Sequence, residues 1–218
     1  LVPGTRVPEN FLLFYSCESG YQLTVEARAS VCRNGQWKTS LPACVPQLAI
    51  VTREGWGAEK DLVEFPSHPL PLHRVIVQHT ATDLCISKSD CILTVQSIQQ
   101  YHKQLYGDIG YNFLVGGDGS VFEGQGWTHV GAHTFNYNTG SVGIALIGNF
   151  VSIAAPQAML TAVQRLIELG QASGKIAEDY QLFAHCQLIQ IASPGRQVFD
   201  IVRHWQHWES TKALQCTS

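Results

Sequence analysis

The sequence predicts an α/β protein with a mixed central β-sheet and about three helices, preceded by a small all-β module that disulfides hold together. Three observations support this fold class. Hydrophobic residues make up 45% of the 218 residues, strand-like and helix-like patterns alternate from Val45 onwards, and three of the seven cysteines lie within the first 44 residues. A chain of this length and composition can fill one ordinary core and the core of a small module.

The first 44 residues have the composition of a strand-and-turn module. They contain Cys17, Cys32 and Cys44, turn residues such as Gly20 and Pro42, and short apolar runs. Small units with thin cores are commonly stapled by disulfides in oxidising compartments. We therefore divide the chain into a module at 1–45, a main domain at 46–213 and a tail at 214–218.

The first half of the main domain contains a strand and a helix. Residues 74–77 form a short apolar, β-branched run that is typical of a buried strand. Residues 92–105 carry apolar side chains at helical spacing. The face predicted to be buried comprises Val95, Ile98, Tyr101 and Leu105.

A hairpin and a central strand follow. Residues 111–115 and 120–123 flank the glycine-rich turn 116–119, which predicts a β-hairpin. Residues 141–147 are nearly all apolar, as expected of a strand in the middle of a sheet.

Two helices complete the domain. Residues 156–169 begin with a proline, carry apolar residues on one face and reach Gly170, which we interpret as the stop signal. The last helix is predicted from about residue 197 to 208. Strands interleaved with three helices indicate a mixed sheet layered by helices.

Charge and hydropathy exclude several functional classes. Lys and Arg total 14 against 17 for Asp and Glu, and only 14% of residues are charged. A protein of this charge is unsuited to tracking nucleic-acid phosphates. No apolar run approaches the roughly 18 residues that cross a bilayer, so neither nucleic acid nor membrane is an expected partner. The cysteines favour secretion over an intracellular location.

The potential catalytic residues are nine histidines and a few cysteines. No Gly-x-Ser-x-Gly motif is present, and no cysteine and histidine spacing matches a structural zinc site. His185 and Cys186 are neighbours whose side chains diverge in an extended segment, so we interpret Cys186 as a buried free thiol rather than a nucleophile.

Several ordered motifs resemble those of the peptidoglycan recognition proteins. The resemblance covers about residues 47–210. The matching blocks are Val77-Gln78-His79-Thr80-Ala81, Gln100-Tyr101-His102, Asp108-Ile109-Gly110-Tyr111-Asn112-Phe113, Gly124-Gln125-Gly126-Trp127, Gly131-Ala132-His133-Thr134, Gly143-Ile144-Ala145-Leu146-Ile147-Gly148-Asn149 and Ser193-Pro194-Gly195. The resemblance implies an amidase-like fold, and the family is divided into zinc amidases and receptors that do not cleave.

The resemblance also implies where zinc ligands would lie. In the amidases two histidines and one cysteine hold the metal, and the corresponding positions here are Gln78, His185 and Ser193. A neutral amide and a protonated hydroxyl are poor zinc ligands, so two of the three positions are replaced. Without the metal that lowers the pKa of water to about 7, we expect no catalytic residue, no metal, no cofactor and no enzymatic activity.

The receptor members of the family suggest a ligand-binding set. By resemblance, the positions that contact the muramyl sugar and stem peptide are His79, Thr80, His102, Leu105, Tyr106, Tyr111, Gln125, His133 and Asn138. Members that prefer diaminopimelate-type peptidoglycan have Gly-Trp at 105–106 and Arg at 125. Gln125 cannot make the charge-assisted contact of an arginine with a carboxylate, so we expect lysine-type peptidoglycan to be preferred.

The first 44 residues resemble a sushi, or complement control protein, module that lacks its first cysteine. The resemblance implies a Cys17–Cys44 disulfide, and the main domain's resemblance implies Cys85–Cys91. We hypothesise that Cys216 supplies the missing partner as Cys32–Cys216, either within one chain or between neighbouring molecules, which leaves Cys186 as the odd thiol. A frayed tail and a truncated module are the alternative.

These resemblances lead to a functional hypothesis. The protein is expected to be a secreted, hemolymph-type innate immune receptor that recognises bacterial peptidoglycan without hydrolysis. It would act on a serine protease cascade of the Toll type, with a modular serine protease or another recognition protein as its partner. Two rivals remain open: a zinc N-acetylmuramoyl-L-alanine amidase with altered ligands, and a protein-binding scaffold.

Overall fold

The computed structural model describes residues 6–23, 29–34, 36–37, 44–60, 63–211 and 216. Chain contacts divide the protein into two compact units, residues 1–47 and 48–218. Of the tail predicted at 214–218, only Cys216 is among the described residues. No helix in the described part of the chain is long and apolar enough to span a membrane.

The N-terminal unit consists of short antiparallel strands. β1 pairs with β3, which also pairs with β4, while β2 pairs with β5. The Cys17–Cys44 disulfide is present as predicted, with its Cα atoms 5.7 Å apart. The strands are β1 (Leu12–Phe14), β2 (Tyr21–Leu23), β3 (Ala29–Arg33), β4 (Gln36–Trp37) and β5 (Cys44–Pro46).

The larger unit is built on a six-stranded mixed sheet, which confirms the predicted fold class. Its order is β11-β7-β10-β8-β9-β6, with β11, β7, β10 and β8 parallel and β9 antiparallel to β8. All six residues of β10 are buried, because a central strand is covered on both faces. The strands are β6 (Ile50–Val51), β7 (Leu72–His79), β8 (Phe113–Val115), β9 (Val121–Glu123), β10 (Ser141–Leu146) and β11 (Ile176–Ala184).

Three helices, α1 (Lys88–Tyr106), α2 (Gln157–Ala172) and α3 (Arg196–Val202), accompany the sheet. α1 begins after Ser87, whose side chain accepts a hydrogen bond from the Asp90 main-chain N–H, and it ends at Gly107 in a left-handed conformation. These are a standard N-cap and C-cap.

The buried face of α1 differs from the predicted one. Val95 and Ile98 are buried together with His102, whereas Tyr101 is 61% exposed and Leu105 is 53% exposed. The helical repeat that starts at Cys91 continues through 95, 98 and 102, so it points the side chains at 101 and 105 away from the core.

The two C-terminal helices end at different residues from those predicted. α2 continues two residues past Gly170, which has a packing role: a Cβ atom there would come within 2.8 Å of the Trp127 ring and 2.6 Å of Ile176. α3 ends at Val202 rather than near 208, and the following chain turns until Trp208 forms a β-bridge with Leu182.

The core lies on both sides of the sheet. Ile144 and Leu146 of β10 belong to the cluster that includes α2 and α3, whereas Ala145 belongs to the cluster that includes Val95 and Ile98 of α1. Successive strand residues point to opposite faces, so each strand contributes to both clusters. This three-layer arrangement fixes the strand ends that carry the site described below.

The disulfides of the larger unit are only partly as predicted. Cys85–Cys91 is present, but Cys216 pairs with Cys186 and not with Cys32, which is a buried free thiol. Cys186 lies in a small buried cluster with Phe199, beside the returning chain at Trp208. The predicted Cys32–Cys216 bridge and the free Cys186 were therefore wrong. Sequence spacing alone does not determine disulfide connectivity.

Candidate ligand-binding groove

A groove of about 750 Å³ opens at the carboxyl ends of β7 and β11. These strands are parallel neighbours, so their carboxyl ends meet at the same edge of the sheet. Gln78 and His79 end β7, and His185 begins the turn of 3-10 helix that directly follows β11. Open α/β sheets commonly bind ligands at this edge.

Most of the predicted site residues line this groove, together with residues that the sequence did not single out. The predicted ones are Gln78, His79, Thr80, His102, Tyr106, Tyr111, His133, Asn138, His185 and Ser193. The groove also contains Asn149, which lies in one of the matching family blocks, and Phe135, Val151 and Ile189, which lie outside those blocks. Phe135 is 77% exposed and gives the groove an apolar rim.

Leu105 and Gln125 do not line the groove. Gln125 is buried, and its side-chain NH₂ donates to Asp108 Oδ2 and to the Ile109 carbonyl, both at 2.9 Å. Asp108 is also held by Arg53 at 2.8 Å. The sequence analysis predicted that Leu105 and Gln125 contact the ligand, and the structure corrects this prediction. α1 turns Leu105 outwards, and the Asp108 network binds the Gln125 side chain.

An aromatic group forms one part of the lining. The His102 ring contacts Tyr106 edge-on at 5.4 Å and Tyr111 at 5.1 Å between centroids. His102 Nδ1 accepts a hydrogen bond of 3.0 Å from the Gly110 main-chain N–H. Burial lowers the pKa of His102 to about 4, although the Asp108 carboxylate opposes the shift. Burial likewise raises the pKa of Tyr111 to about 12.

The loop after β9 carries His133 and Asn138. Asn138 Oδ1 accepts hydrogen bonds from the main-chain N–H groups of His133 and Thr134, at 3.0 and 2.7 Å. The His133 Nδ1 atom lies 2.9 Å from Thr134 Oγ1. Asn138 thus shapes the loop that presents the His133 ring, and its side-chain oxygen is already engaged.

Gln78, His133 and His185, which we name the polar corner, contain side-chain atoms with no partner. Gln78 Nε2, His133 Nε2 and both ring nitrogens of His185 are buried and make no hydrogen bond of normal geometry with a described residue, although the His133 carbonyl is near enough to the His185 ring to affect its pKa. Gln78 is 1% exposed and His185 is 6% exposed. Buried polar atoms are rarely left unpaired, because each costs about 1–3 kcal/mol of desolvation.

Gln78 and His133 meet at Gly143 of β10. A Cβ atom at Gly143 would lie 2.7 Å from Gln78 Nε2 and 2.5 Å from the His133 ring. Real Cβ atoms do not approach neighbours so closely, so only glycine lets both side chains occupy this place.

The groove histidines are uncharged at neutral pH. Burial, with His185 and His68 nearby, lowers the pKa of His133 to about 3. Burial and His79 lower the pKa of His185 to about 4, against a smaller opposing effect of the His133 carbonyl. The pKa of His79 is also lowered by burial. No Lys, Arg, Asp or Glu side chain is among the described residues that line the groove.

Gln78, His185 and Ser193 do not fit a zinc ion. Ser193 Oγ already accepts a 3.0 Å hydrogen bond from the His79 main-chain N–H, so it is a neutral hydroxyl engaged by the backbone. The His79 ring is engaged as well, since its Nδ1 accepts from the Phe150 N–H at 3.2 Å. One imidazole, one amide and one hydroxyl are a weak donor set for a metal that takes imidazole, thiolate and carboxylate.

Comparison with known proteins identifies both parts of the chain. The N-acetylmuramoyl-L-alanine amidase family matches residues 68–211, and the sushi repeat matches residues 5–44. A peptidoglycan recognition protein of Bombyx mori is 44% identical over 162 residues, which cover 73% of this chain and 82% of that protein.

Solved structures of peptidoglycan recognition proteins are also similar to this chain. Peptidoglycan recognition protein LE, crystallised with monomeric diaminopimelic acid-type peptidoglycan, is 36% identical with a TM-score of 0.74, covering 75% of this chain and 98% of that one. The bumblebee protein SA is 38% identical with a TM-score of 0.73, covering 75% of this chain and 99% of that one. From residue 68 onwards, the chain thus belongs to the peptidoglycan recognition protein family, within the amidase fold.

Proposed function

We propose that the protein is a receptor that binds bacterial peptidoglycan in the groove and does not cleave it. One observation carries the proposal: a single groove of about 750 Å³ brings together His79, Thr80, His102 and Tyr111 with the His133 loop. A cleft of this size, mostly apolar with a few convergent polar groups, suits a muropeptide of one sugar and a short stem peptide.

The absence of cleavage follows from the donor set. Hydrolysis of an amide at neutral pH by this family's chemistry requires a metal that activates water. Gln78 and Ser193 are a neutral amide and a neutral hydroxyl, which hold zinc poorly. Burial lowers the pKa values of the groove histidines, so they are uncharged at neutral pH. We infer that the chain binds the ligand and leaves its amide bonds intact.

Lysine-type peptidoglycan remains the favoured ligand, but the reason is now the lining of the groove rather than Gln125. Gln125 lies outside the groove, so it cannot read the third residue of the stem peptide directly. The described groove has no cation to pair with the extra carboxylate of diaminopimelate. A lysine side chain needs no such partner, because its flexible stem can carry the ammonium group into solvent.

The partner is proposed to be a protein. Sushi modules commonly bind other proteins, and residues 5–44 match one. We infer that this module connects peptidoglycan recognition to a serine protease cascade of the Toll type, through a modular serine protease or another recognition protein. The three disulfides support an extracellular, hemolymph-type location.

Titration calorimetry with lysine-type and diaminopimelate-type muropeptides tests the proposal, combined with zinc analysis and a product assay on the same preparation. We expect binding of the lysine-type ligand, no stoichiometric zinc and no released peptide. Stoichiometric zinc with peptide release would establish the amidase instead. Binding to neither ligand would overturn peptidoglycan recognition and direct attention to the sushi module.

A further inference from the structure

Asp108 has a buried carboxylate that lies outside the groove. Its side chain is 0% exposed, and it is not among the described residues that line the groove. Its Oδ1 atom accepts a 2.7 Å hydrogen bond from Gln99 Nε2, and its Oδ2 atom accepts from Arg53 at 2.8 Å and from Gln125 Nε2 at 2.9 Å. The three donors come from different parts of the chain: after β6, within α1 and after β9. The Asp108 network, which comprises Arg53, Gln99, Asp108 and Gln125, therefore joins three separate segments at one carboxylate.

Two partners of Asp108 are also bound to the main chain. Arg53 donates to the Gly124 carbonyl at 3.1 Å. Gln99 exchanges two hydrogen bonds with the main chain of Glu59, at 2.9 and 3.0 Å. A buried ion pair often adds little net stability, because the desolvation of the charges offsets their attraction. A buried network whose members are all paired does restrict them to one arrangement. The main consequence of this network is therefore geometric.

The residues that follow Asp108 connect this arrangement to the groove. The Gly110 N–H donates to His102 Nδ1 at 3.0 Å, and the Gly110 carbonyl accepts from the Ala132 N–H at 2.8 Å. The Tyr111 ring lies 5.1 Å from the His102 ring, measured between centroids. Residues 109–111 thus lie between the aromatic group and the loop after β9, and both of these line the groove.

The segment 109–111 has little room to shift. A Cβ atom at Gly110 would lie 2.6 Å from the Ala132 carbonyl oxygen, and one at Gly124 would overlap the Tyr111 carbonyl oxygen. Closely packed interiors transmit strain instead of absorbing it. A change at the buried carboxylate should therefore reach the aromatic group.

We propose that Asp108 is a positioning residue for ligand binding: it holds the His102 and Tyr111 rings in the arrangement that receives the muropeptide. Asp108 itself lies behind the wall of the groove. Rings that are already in place lose less freedom when the ligand binds, which raises the affinity. Gln125 then acts on recognition through Asp108 rather than by a contact of its own. The inference rests on the proposed peptidoglycan binding.

The first variant is Asp108→Asn, tested by titration calorimetry with a muramyl tripeptide that has lysine in third position. Asparagine keeps the size of the side chain, but it lacks the charge and turns an NH₂ group towards at least one of the donors. We expect the affinity to fall about five- to tenfold, which is the usual effect of losing about one ligand contact.

The second variant leaves the carboxylate in place, and it decides the question if Asp108→Asn does not fold. Gln99→Met removes the donor to Oδ1, while Arg53 and Gln125 still pair the charge. We expect the affinity to fall about three- to fivefold. The matched control is Gln96→Met on the same helix. Gln96 Nε2 donates to the Trp56 carbonyl at 2.8 Å and takes no part in the Asp108 network, so this variant should bind as the wild type does.

A spectroscopic measurement on the free protein separates positioning from a loss of stability. The ¹⁵N chemical shift of His102 Nδ1 reports the hydrogen bond from the Gly110 N–H. We expect this signal to move in Asp108→Asn and in Gln99→Met, at a temperature where the variants are fully folded. It should stay in place in Gln96→Met.

The outcomes separate this inference from the proposed function. Wild-type affinity in either folded network variant, or an unmoved His102 signal, would overturn the positioning role while peptidoglycan binding stands. Equal losses of affinity in Gln99→Met and Gln96→Met would overturn it as well, because they would show a general effect of α1. No binding of the muropeptide by the wild-type protein would overturn both proposals.

Discussion

Two groups of side chains line the same groove but differ in how their polar atoms are used. In the aromatic group, His102 contacts Tyr106 and Tyr111 and accepts a hydrogen bond from Gly110. In the polar corner, Gln78 and His185 are just as buried yet leave atoms unpaired. The comparison indicates that the aromatic group supports the fold as well as the groove, whereas the polar atoms of the corner cost stability unless a partner outside the described chain binds them.

The largest expected effect comes from converting the corner back to a metal site. Gln78→His combined with Ser193→Cys supplies two imidazoles and a thiolate, the donor set that zinc prefers. We expect the double variant to bind zinc stoichiometrically and to unfold at a higher temperature when zinc is added, as linkage requires. Elemental analysis and thermal melts measure this.

Gln78→His alone is the control for that experiment, since it adds an imidazole without the thiolate and should bind zinc much more weakly. Stoichiometric zinc in the unmodified protein would contradict the assignment of the corner as a hydrogen-bonding site. The corner would then differ from the aromatic group by holding a metal ion rather than by having unpaired polar atoms.

Removing a member of the aromatic group should destabilise the fold. His102→Ala leaves the Gly110 N–H without its acceptor and opens a cavity between two tyrosine rings. We expect a loss of about 2–4 kcal/mol in the free energy of unfolding. Urea denaturation measures it, with Tyr101→Ala as the control: that ring is 61% exposed and should cost less than about 1 kcal/mol. If both variants lost the same unfolding free energy, His102 would have no special structural role.

The stability of the protein should decrease in mild acid. His102 has a folded pKa of about 4, against about 6.5 for an unfolded histidine, because burial disfavours its charged form. The unfolded chain therefore binds more protons between these values. This contribution to stability is complete above about pH 6.5 and is lost as the pH falls through about 4.

Urea denaturation at several pH values between 7.5 and 4.5 tests this dependence. His133 and His185 have lowered pKa values and act in the same direction. The variant His102→Gln should thus reduce the slope without abolishing it. An unchanged slope in this variant would mean that His102 is not buried in its neutral form.

The smallest expected effect is also the one most specific to the corner. Gln78→Met removes an unpaired buried donor without changing the size of the side chain, so the free protein should become more stable by about 1 kcal/mol. Thermal and urea unfolding in the absence of ligand measure this. A loss of stability would show that the Gln78 amide is paired within the fold, contrary to its role in the corner.

The regular elements could be predicted because their patterns are local. The β10 run and the β8–β9 hairpin lie where the apolar pattern and the glycine turn predicted them. β11 was missed, since Glu178 and Asp179 are exposed and the strand's register with β7 shifts between Ile176 and Gln181. Such an irregular edge strand is recognisable only from its partner.

Most of the residues that line the groove could be predicted, but their hydrogen bonds could not. Family resemblance identified the positions of His79, His102 and Tyr111, and all three line the groove. It misplaced Gln125, because nothing in the local sequence indicates that Asp108 and the Ile109 carbonyl bind its amide. A partner 16 or 17 residues away depends on how the strands are arranged.

By itself, the sequence predicted the mixed α/β class and most of the helices and strands. Its resemblance to two families implied the Cys17–Cys44 and Cys85–Cys91 pairs and ten of the residues that line the groove. Periodicity, turn chemistry and motif spacing are properties of the chain, so they are readable there. Only the tertiary structure decided that Cys186 pairs with Cys216, that Gln125 faces inwards and that Gln78 and His185 have unpaired atoms. Each of these features depends on which groups, distant in the sequence, come close enough to form a hydrogen bond or a disulfide. Only folding brings such groups together.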